Sequence, residues 1–191
     1  MAYEEWAMTH VPQNPVAPDA DAGLMLQVAA GSQTAFADLV RAHQNSLLNF
    51  FVRMGAYNGA EDLVQETFIR LYRYRDRYRP TARFTTFLYV LARHVWADQG
   101  RRVWRKNRLE TGLEDEARIK DRQGAGKKPH HLDVEEALGR LSPKLKEVLV
   151  LNVYQGLKYQ EIAAVLGVPL GTVKSRINLA IQDMRKLLDE P

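Results

Sequence analysis

The chain has 191 residues, 46% of them hydrophobic, and a formal net charge of +4, enough to bury the core of one domain or of two small ones. It has no cysteine, and its five histidines (His10, His43, His94, His130 and His131) are scattered apart from one adjacent pair that cannot share a helix face; disulfide and thiolate chemistry are excluded, and no metal or cofactor site is expected. No apolar run approaches the roughly 18 to 20 residues of a membrane span, and no basic stretch followed by an apolar core opens the chain, so a cytoplasmic protein with no membrane contact of its own is expected.

Residues 1–21 carry Pro12, Pro15 and Pro18 without apolar periodicity and read as a flexible tail. A short helix is predicted over Ala22 to Ala30. Ser32 then caps a longer helix, whose apolar positions from Phe36 through Leu39, His43, Leu47 and Phe50 to Met54 keep the helical period until Gly55. The next helix runs from Gly59 to about Arg75, with Asn58 and Glu61 as a capping-box variant. Leu63, Val64, Phe68 and Leu71 point inward along it, leaving Asp62, Gln65 and Glu66, with Ile69 or Arg70, on other faces. As a catalytic pair, Asp62 and Glu66 would need desolvation or a metal to shift their pKa values. Nothing nearby supplies either, so this acidic surface reads as a protein-binding or solvated face.

Charge is distributed unevenly: residues 1–69 sum to −6 and residues 70–108 to +10. The arginines of the second stretch are interleaved with Tyr72, Tyr74, Tyr78, Phe84, Phe87, Tyr89, Trp96 and Trp104. Guanidinium groups attract phosphates, and aromatic rings stack only on bases that have left their pairs, so the block suits single-stranded or melted nucleic acid better than an intact duplex. Pro80 interrupts the helical pattern, and Thr85 is a possible cap for a helix running through Arg101 or beyond. Within that helix Phe87, Leu88, Leu91, Ala92, Val95 and Trp96 form a core stripe, whereas Phe84 and Tyr89 are expected to be exposed.

Residues 106–132 are charged, contain Gly124, Gly126 and Pro129, and lack a sustained stripe, as an interdomain linker would. A short helix follows from Asp133 to Leu141. Ser142 and Pro143 stand as N-cap and first helical residue of another, which Gly156 ends. The pattern Ile162-Ala163-x-x-Leu166-Gly167-Val168, followed by Val173 and Ile177, is that of a DNA-binding helix-turn-helix. Small Ala163 lets a second helix cross closely, and Gly167 supplies the left-handed residue just past a helix end. On the second helix Val173, Ile177, Ala180, Met184 and Leu187 make a buried stripe, leaving Thr172, Lys174, Ser175, Arg176, Asn178 and Gln182 outward. Such a face enters the major groove, where Lys and Arg reach guanine or phosphate and Asn pairs with adenine. The fold class expected is all-α: two small helical domains joined by a flexible linker, with no strand.

Three segments together carry a family resemblance: Ala60-Glu61-Asp62-Leu63-Val64-Gln65-Glu66-Thr67-Phe68, Phe84-Thr85-Thr86-Phe87-Leu88-Tyr89-Val90-Leu91-Ala92-Arg93, and Gly171-Thr172-Val173-Lys174-Ser175-Arg176. In this order and separation the chain resembles bacterial sigma factors of the extracytoplasmic function group, over about residues 22–188. The resemblance implies sigma region 2 over 22–105, a linker over 106–132 and sigma region 4 over 133–191, without the intermediate region 3 of larger sigma factors. It implies a non-enzymatic transcription initiation factor. Asp62, Leu63, Gln65, Glu66, Ile69 and Arg70 would dock on the β′ clamp of core RNA polymerase. Arg77, Tyr78, Arg79, Arg83, Phe84, Thr85, Tyr89 and Arg93 would recognise the melted minus-ten element and hold a flipped base. Thr172, Lys174, Ser175, Arg176 and Asn178 would read the minus-thirty-five duplex beside the β flap, and the linker would thread toward the RNA exit path.

Several positions depart from the family pattern. Lys158 stands where a Ser or Thr cap is common, Leu170 where an acidic residue is common, and Leu179 and Ile181 where cations are common. Fewer cations mean fewer phosphate contacts, and the apolar replacements fit a helix partly covered by a protein such as an anti-sigma factor. Two rivals make different demands. A conventional helix-turn-helix repressor or activator would bind a duplex operator without polymerase and would leave the Asp62 helix and the arginine-aromatic loop without a role. A nuclease would need clustered carboxylates or histidines at metal-ligand spacing, which the sequence lacks.

Overall fold

The computed structural model describes residues 19–111 and 133–189. Residues 1–18 of the predicted tail, the segment 112–132 with His130 and His131, and the last two residues lie outside the described residues; Asp19 to Asp21, also read as tail, instead cap and open the first helix. Eight α-helices occupy most of the rest, and no strand occurs among the described residues.

The first four helices form one bundle. Helix α1 (Ala20–Ala29) and helix α2 (Gln33–Met54) pack on one another across a tight turn, and Ser32 accepts a hydrogen bond from the Ala35 amide at 3.2 Å as the N-cap of α2. Gly55 ends α2 with φ 116°, a conformation open to glycine and costly for other residues. Helix α3 (Ala60–Arg73) starts at Gly59 with no side-chain cap; the predicted box from Asn58 and Glu61 is not formed, because the N-cap position falls on glycine, which has no side chain to offer. After a 3₁₀ turn at Arg75–Arg77, helix α4 (Phe84–Thr111) continues past residue 106, where the linker was expected to begin. Lys106, Arg108, Leu109 and Glu110 are good helix formers, and propensity prolongs the helix beyond its apolar stripe.

The core of this bundle is built by Met25 and Val28 of α1, Leu39, Leu47 and Phe50 of α2, Phe68 and Leu71 of α3, and Leu88 and Val95 of α4, all buried. Edge-to-face pairs of Phe36 with Phe68 and Tyr72, at centroid separations of 6.4 and 5.2 Å, join α2 to α3.

The remaining helices form a second, smaller bundle. Helix α5 (Val134–Arg140) is capped by Asp133, and helix α6 (Pro143–Leu149) begins with proline at a position whose amide would have had no partner. Helix α6 runs into a π-helical turn at Val150–Tyr154. Helix α7 (Tyr159–Leu166), Gly167 at φ 65°, and helix α8 (Leu170–Asp189) complete it as the predicted helix-turn-helix. Val173, Ile177 and Ala180 of α8 are buried against Leu138, Leu149 and Ile162. Lys158 has no side-chain acceptor to offer at the start of α7, so the cap comes from the other direction: the Glu161 carboxylate accepts from the Lys158 amide at 2.7 Å.

The two bundles are in contact. Helix α4 packs on α7, and α2 packs on α5, α6 and the π-helical turn.

Candidate nucleic-acid and polymerase interfaces

Helix α3 presents its acidic face as the pattern requires. Asp62, Gln65 and Ile69 are exposed, Glu66 and Arg70 are half-buried, and Leu63 is buried beneath them. Arg70 donates to Glu66 at 2.8 Å and to Asp98 of α4 at 2.7 Å, and Asp98 also receives Arg101. Burial would push the Asp98 carboxyl up, but its bonds from Arg70 and Arg101 outweigh that and hold it below its ordinary value. Burial likewise opposes the charge on Arg70, and the hydrogen bonds it donates to Glu66 and Asp98 override that, so Arg70 stays charged. Gly59, Asp62, Glu66, Arg70, Asp98 and Arg102 line a cleft between α3 and α4. The cleft is held in shape by this charge-assisted network. Asp98 was not singled out from the sequence, since it stands 28 residues from Arg70 and no local spacing joins them.

The arginine-aromatic loop is shaped from the N-terminus of the described chain. Asp19 accepts from the Ala22 amide at 2.8 Å, capping α1, and its other oxygen accepts from the Phe84 amide at 3.1 Å, capping α4. Thr85, expected as that cap, instead lies half-buried in the first turn. Asp19 is positioned by folding alone, 65 residues from Phe84. Next to it, His43 of α2 lies 3.0 Å from the Asp21 carboxylate and its ring leans on Phe84 at 5.3 Å.

The minus-ten set is only partly on the surface. Arg77, Arg79 and Arg83 are exposed and Thr85 and Arg93 half-buried, but Tyr78, Phe84 and Tyr89 are buried. Phe84 and Tyr89, expected to be exposed, retain 0% and 3% of their accessible surface. Phe84 is enclosed by His43 and by Tyr78, whose ring lies 6.4 Å away. Tyr89 is covered by the second bundle: its hydroxyl donates to Gln155 Oε1 at 2.5 Å while Phe50 meets its ring at 5.5 Å. Burial pushes the Tyr89 hydroxyl up to about 12 and the Tyr78 hydroxyl higher still, with Asp19 and Asp21 adding to the latter, so both remain neutral. Of the stripe read as core, Phe87, Leu88, Leu91, Ala92 and Val95 are buried and Trp96 partly so.

On α8, Lys174, Ser175 and Asn178 are exposed and Thr172 and Arg176 half-buried, all in the N-terminal half of the helix. Ser175 donates to the Thr172 carbonyl at 3.0 Å. The N-terminal half of this helix therefore offers donors and cations along one side while Val173 and Ile177 anchor the other. Among the described residues, no group of three or more His, Asp or Glu is placed to hold a metal ion, and no helix is long and apolar enough to cross a membrane.

Residues 39–106 match the family model for sigma-70 region 2, and residues 131–184 that for sigma-70 region 4. The chain belongs to the sigma-70 family, in its extracytoplasmic function group. It is similar to the ECF RNA polymerase sigma factor SigE of Mycolicibacterium smegmatis, at 35% identity over 89% of this chain and 69% of that protein. It is also similar to the ECF RNA polymerase sigma factor SigC of Mycobacterium tuberculosis, at 31% identity over 83% and 86%. Among solved structures it resembles CnrH in complex with the cytosolic domain of CnrY, with a TM-score of 0.68 and 29% identity over 90% of this chain and 98% of the other. The sigma factor RpoE in complex with the anti-sigma factor NepR from Bartonella quintana superposes with a TM-score of 0.66 and 25% identity over 81% and 98%. The all-α, two-bundle architecture is that of the family, and the protein is a promoter-directing RNA polymerase sigma factor rather than an enzyme.

Proposed function

We propose that the sigma factor divides its work among three surfaces. The α3–α4 cleft, with Asp62, Leu63, Gln65, Glu66, Ile69 and Arg70, docks on the clamp of the β′ subunit, where the charged network held by Asp98 meets a polar helix. The loop and helix start that carry Arg77, Tyr78, Arg79, Arg83, Phe84, Thr85, Tyr89 and Arg93 recognise the melted minus-ten strand, the arginines holding phosphates and the aromatic residues shaping the pocket for an unpaired base. The first turns of α8, with Thr172, Lys174, Ser175, Arg176 and Asn178, read the minus-thirty-five duplex, and the region around them meets the β flap. Residues 22–105 act as the polymerase and minus-ten module and 133–191 as the minus-thirty-five module, with 106–132 connecting them. The protein works in the cytoplasm, where polymerase and promoter are.

The observation that carries this reading is the separation of sign. The acidic exposed face lies on α3, and the cations lie on the loop before α4 and on α8, which suits a protein partner for the first and a polyanion for the other two. An anti-sigma factor is a further partner, supported by the similarity to RpoE, solved in complex with the anti-sigma factor NepR, and by exposed Leu179 and Ile181 on α8. Mixing the purified chain with bacterial core RNA polymerase should give co-elution on gel filtration and new run-off transcripts from a genomic promoter pool. Binding to duplex DNA with no association to the polymerase would overturn the assignment of the α3–α4 cleft.

A further inference from the structure

The most exposed large hydrophobic side chain among the described residues belongs to no surface assigned so far. Tyr57, in the loop between α2 and α3, keeps 72% of its accessible surface. A single exposed hydrophobic residue is ordinary, but the loop that holds this one has no slack. Gly55 and Gly59 at its ends both sit in the left-handed region, at φ 116° and 83°. Between them Ala56 is buried and its amide donates to the Phe51 carbonyl at 2.9 Å, while the Leu63 amide donates to the Gly59 carbonyl at 3.3 Å. The backbone is pinned on both sides of Tyr57. Its ring therefore stands in solvent on a loop already ordered, so that binding through it costs little further backbone entropy.

Position joins this ring to the α3–α4 cleft. Gly59, two residues on, lines the cleft, and a Cβ there would stand 3.9 Å from the Asp62 carboxylate. Two residues of chain span at most about 7 Å, so ring and cleft make one continuous surface. Glu61 and Asp62, exposed in the first turn of α3, give the junction negative charge, and the face of a tyrosine ring is itself attractive to a cation. We infer that Tyr57 is the aromatic anchor of the polymerase-docking surface, stacking on a guanidinium of the β′ clamp at the end of the cleft. The inference rests on the assignment of the α3–α4 cleft made above. A guanidinium suits the place because it is planar and can stack on the ring while donating to the carboxylates beside it. Interfaces concentrate their binding energy in a few such residues, with Tyr and Arg prominent among them. Because Tyr57 lies in a loop, no helical period marks it in the sequence.

Substitution at Tyr57 should act on polymerase affinity alone. With core RNA polymerase immobilised and the purified full-length chain titrated over it, Tyr57→Leu and Tyr57→Ser should each raise Kd about tenfold. Tyr57→Phe should stay within about twofold of the parent, because it keeps the ring face that leucine lacks. In run-off transcription the two weakened variants should need about tenfold more chain for half-maximal signal yet reach the parent's plateau with the same transcript starts, since neither DNA-reading surface is altered. Their thermal melts should match the parent's, as the side chain is exposed. Parent-like affinity in Tyr57→Leu, or a tenfold loss in Tyr57→Phe, would overturn the stacking; a lowered plateau or shifted transcript starts would overturn the confinement of Tyr57 to docking.

The absence of cysteine allows a second measurement that separates this inference from the reading beneath it. Tyr57→Cys and Gln65→Cys each create a unique thiol for a benzophenone maleimide, one at the anchor and one on the exposed face of α3. Irradiated with core polymerase at chain concentrations that saturate it, both labelled chains should cross-link to β′. Cross-linking from Gln65→Cys but not from Tyr57→Cys would sink the anchor and leave the docking surface standing. Cross-linking to β′ from neither position would strike the assignment of the α3–α4 cleft as well.

Discussion

At the scale of single residues, two aspartates do more than their neighbours in sequence suggest. Asp19 caps α1 and α4 at once. Asp19→Ala should therefore destabilise the chain by about 1–3 kcal/mol, since each lost cap is worth roughly 0.5–2 kcal/mol, while Asp19→Asn, which keeps an acceptor, should recover most of it in a urea titration. Asp98 is held below its ordinary 3.8 by Arg70 and Arg101. A carboxyl lowered in the folded state contributes stability that is complete above pH 3.8 and is lost as pH falls through the lowered value. Asp98→Asn should thus flatten the acid limb of a melting-temperature profile, and should weaken co-elution with core polymerase by loosening Arg70. Neither aspartate was visible as functional in the sequence, because capping and ion pairing across 65 and 28 residues leave no local periodicity. The residues legible in advance were those whose role is local: Ser32 as a cap, Gly55 and Gly167 as helix ends, and the inward-facing Leu63, Phe68 and Leu71.

At the scale of elements, the helix-turn-helix was the most legible part, since the turn glycine and the apolar steps of three and four are set by helix geometry alone. Gly167 sits at φ 65°, where a Cβ costs about 1–2 kcal/mol. Gly167→Ala should lower the melting temperature by that measure without altering the outward face of α8. Lys174→Ala and Arg176→Ala should each reduce the slope of log affinity against log salt by about 1 on a minus-thirty-five duplex if both touch phosphate; an unchanged slope for either removes it from the contact set. Helix α4 was read less well at its ends. Its stripe from Phe87 to Val95 is buried as its period demands, and Phe84, three and four residues before Phe87 and Leu88, shares that face and is buried by the same rule; Tyr89 lies to the side of the stripe, and periodicity could not reveal that a second bundle covers it.

At the scale of the whole molecule, the contact between the two bundles predicts a short distance across them. Dyes on Arg41→Cys and Lys186→Cys, both at exposed positions in separate bundles, should show high energy transfer in the free chain and a fall on adding core polymerase. A low transfer in the free chain would mean that the bundles already stand apart. Sequence by itself determined the helical class, the two-module order and the chemistry of each surface, because apolar period, turn residues and charge are properties of neighbouring positions. Only the tertiary structure decided that Asp19 joins the starts of two helices, that Asp98 holds Arg70, and that Gln155 and Glu147 meet Tyr89 and Arg93, because these contacts join side chains dozens of residues apart, where nothing in local spacing encodes which surfaces meet.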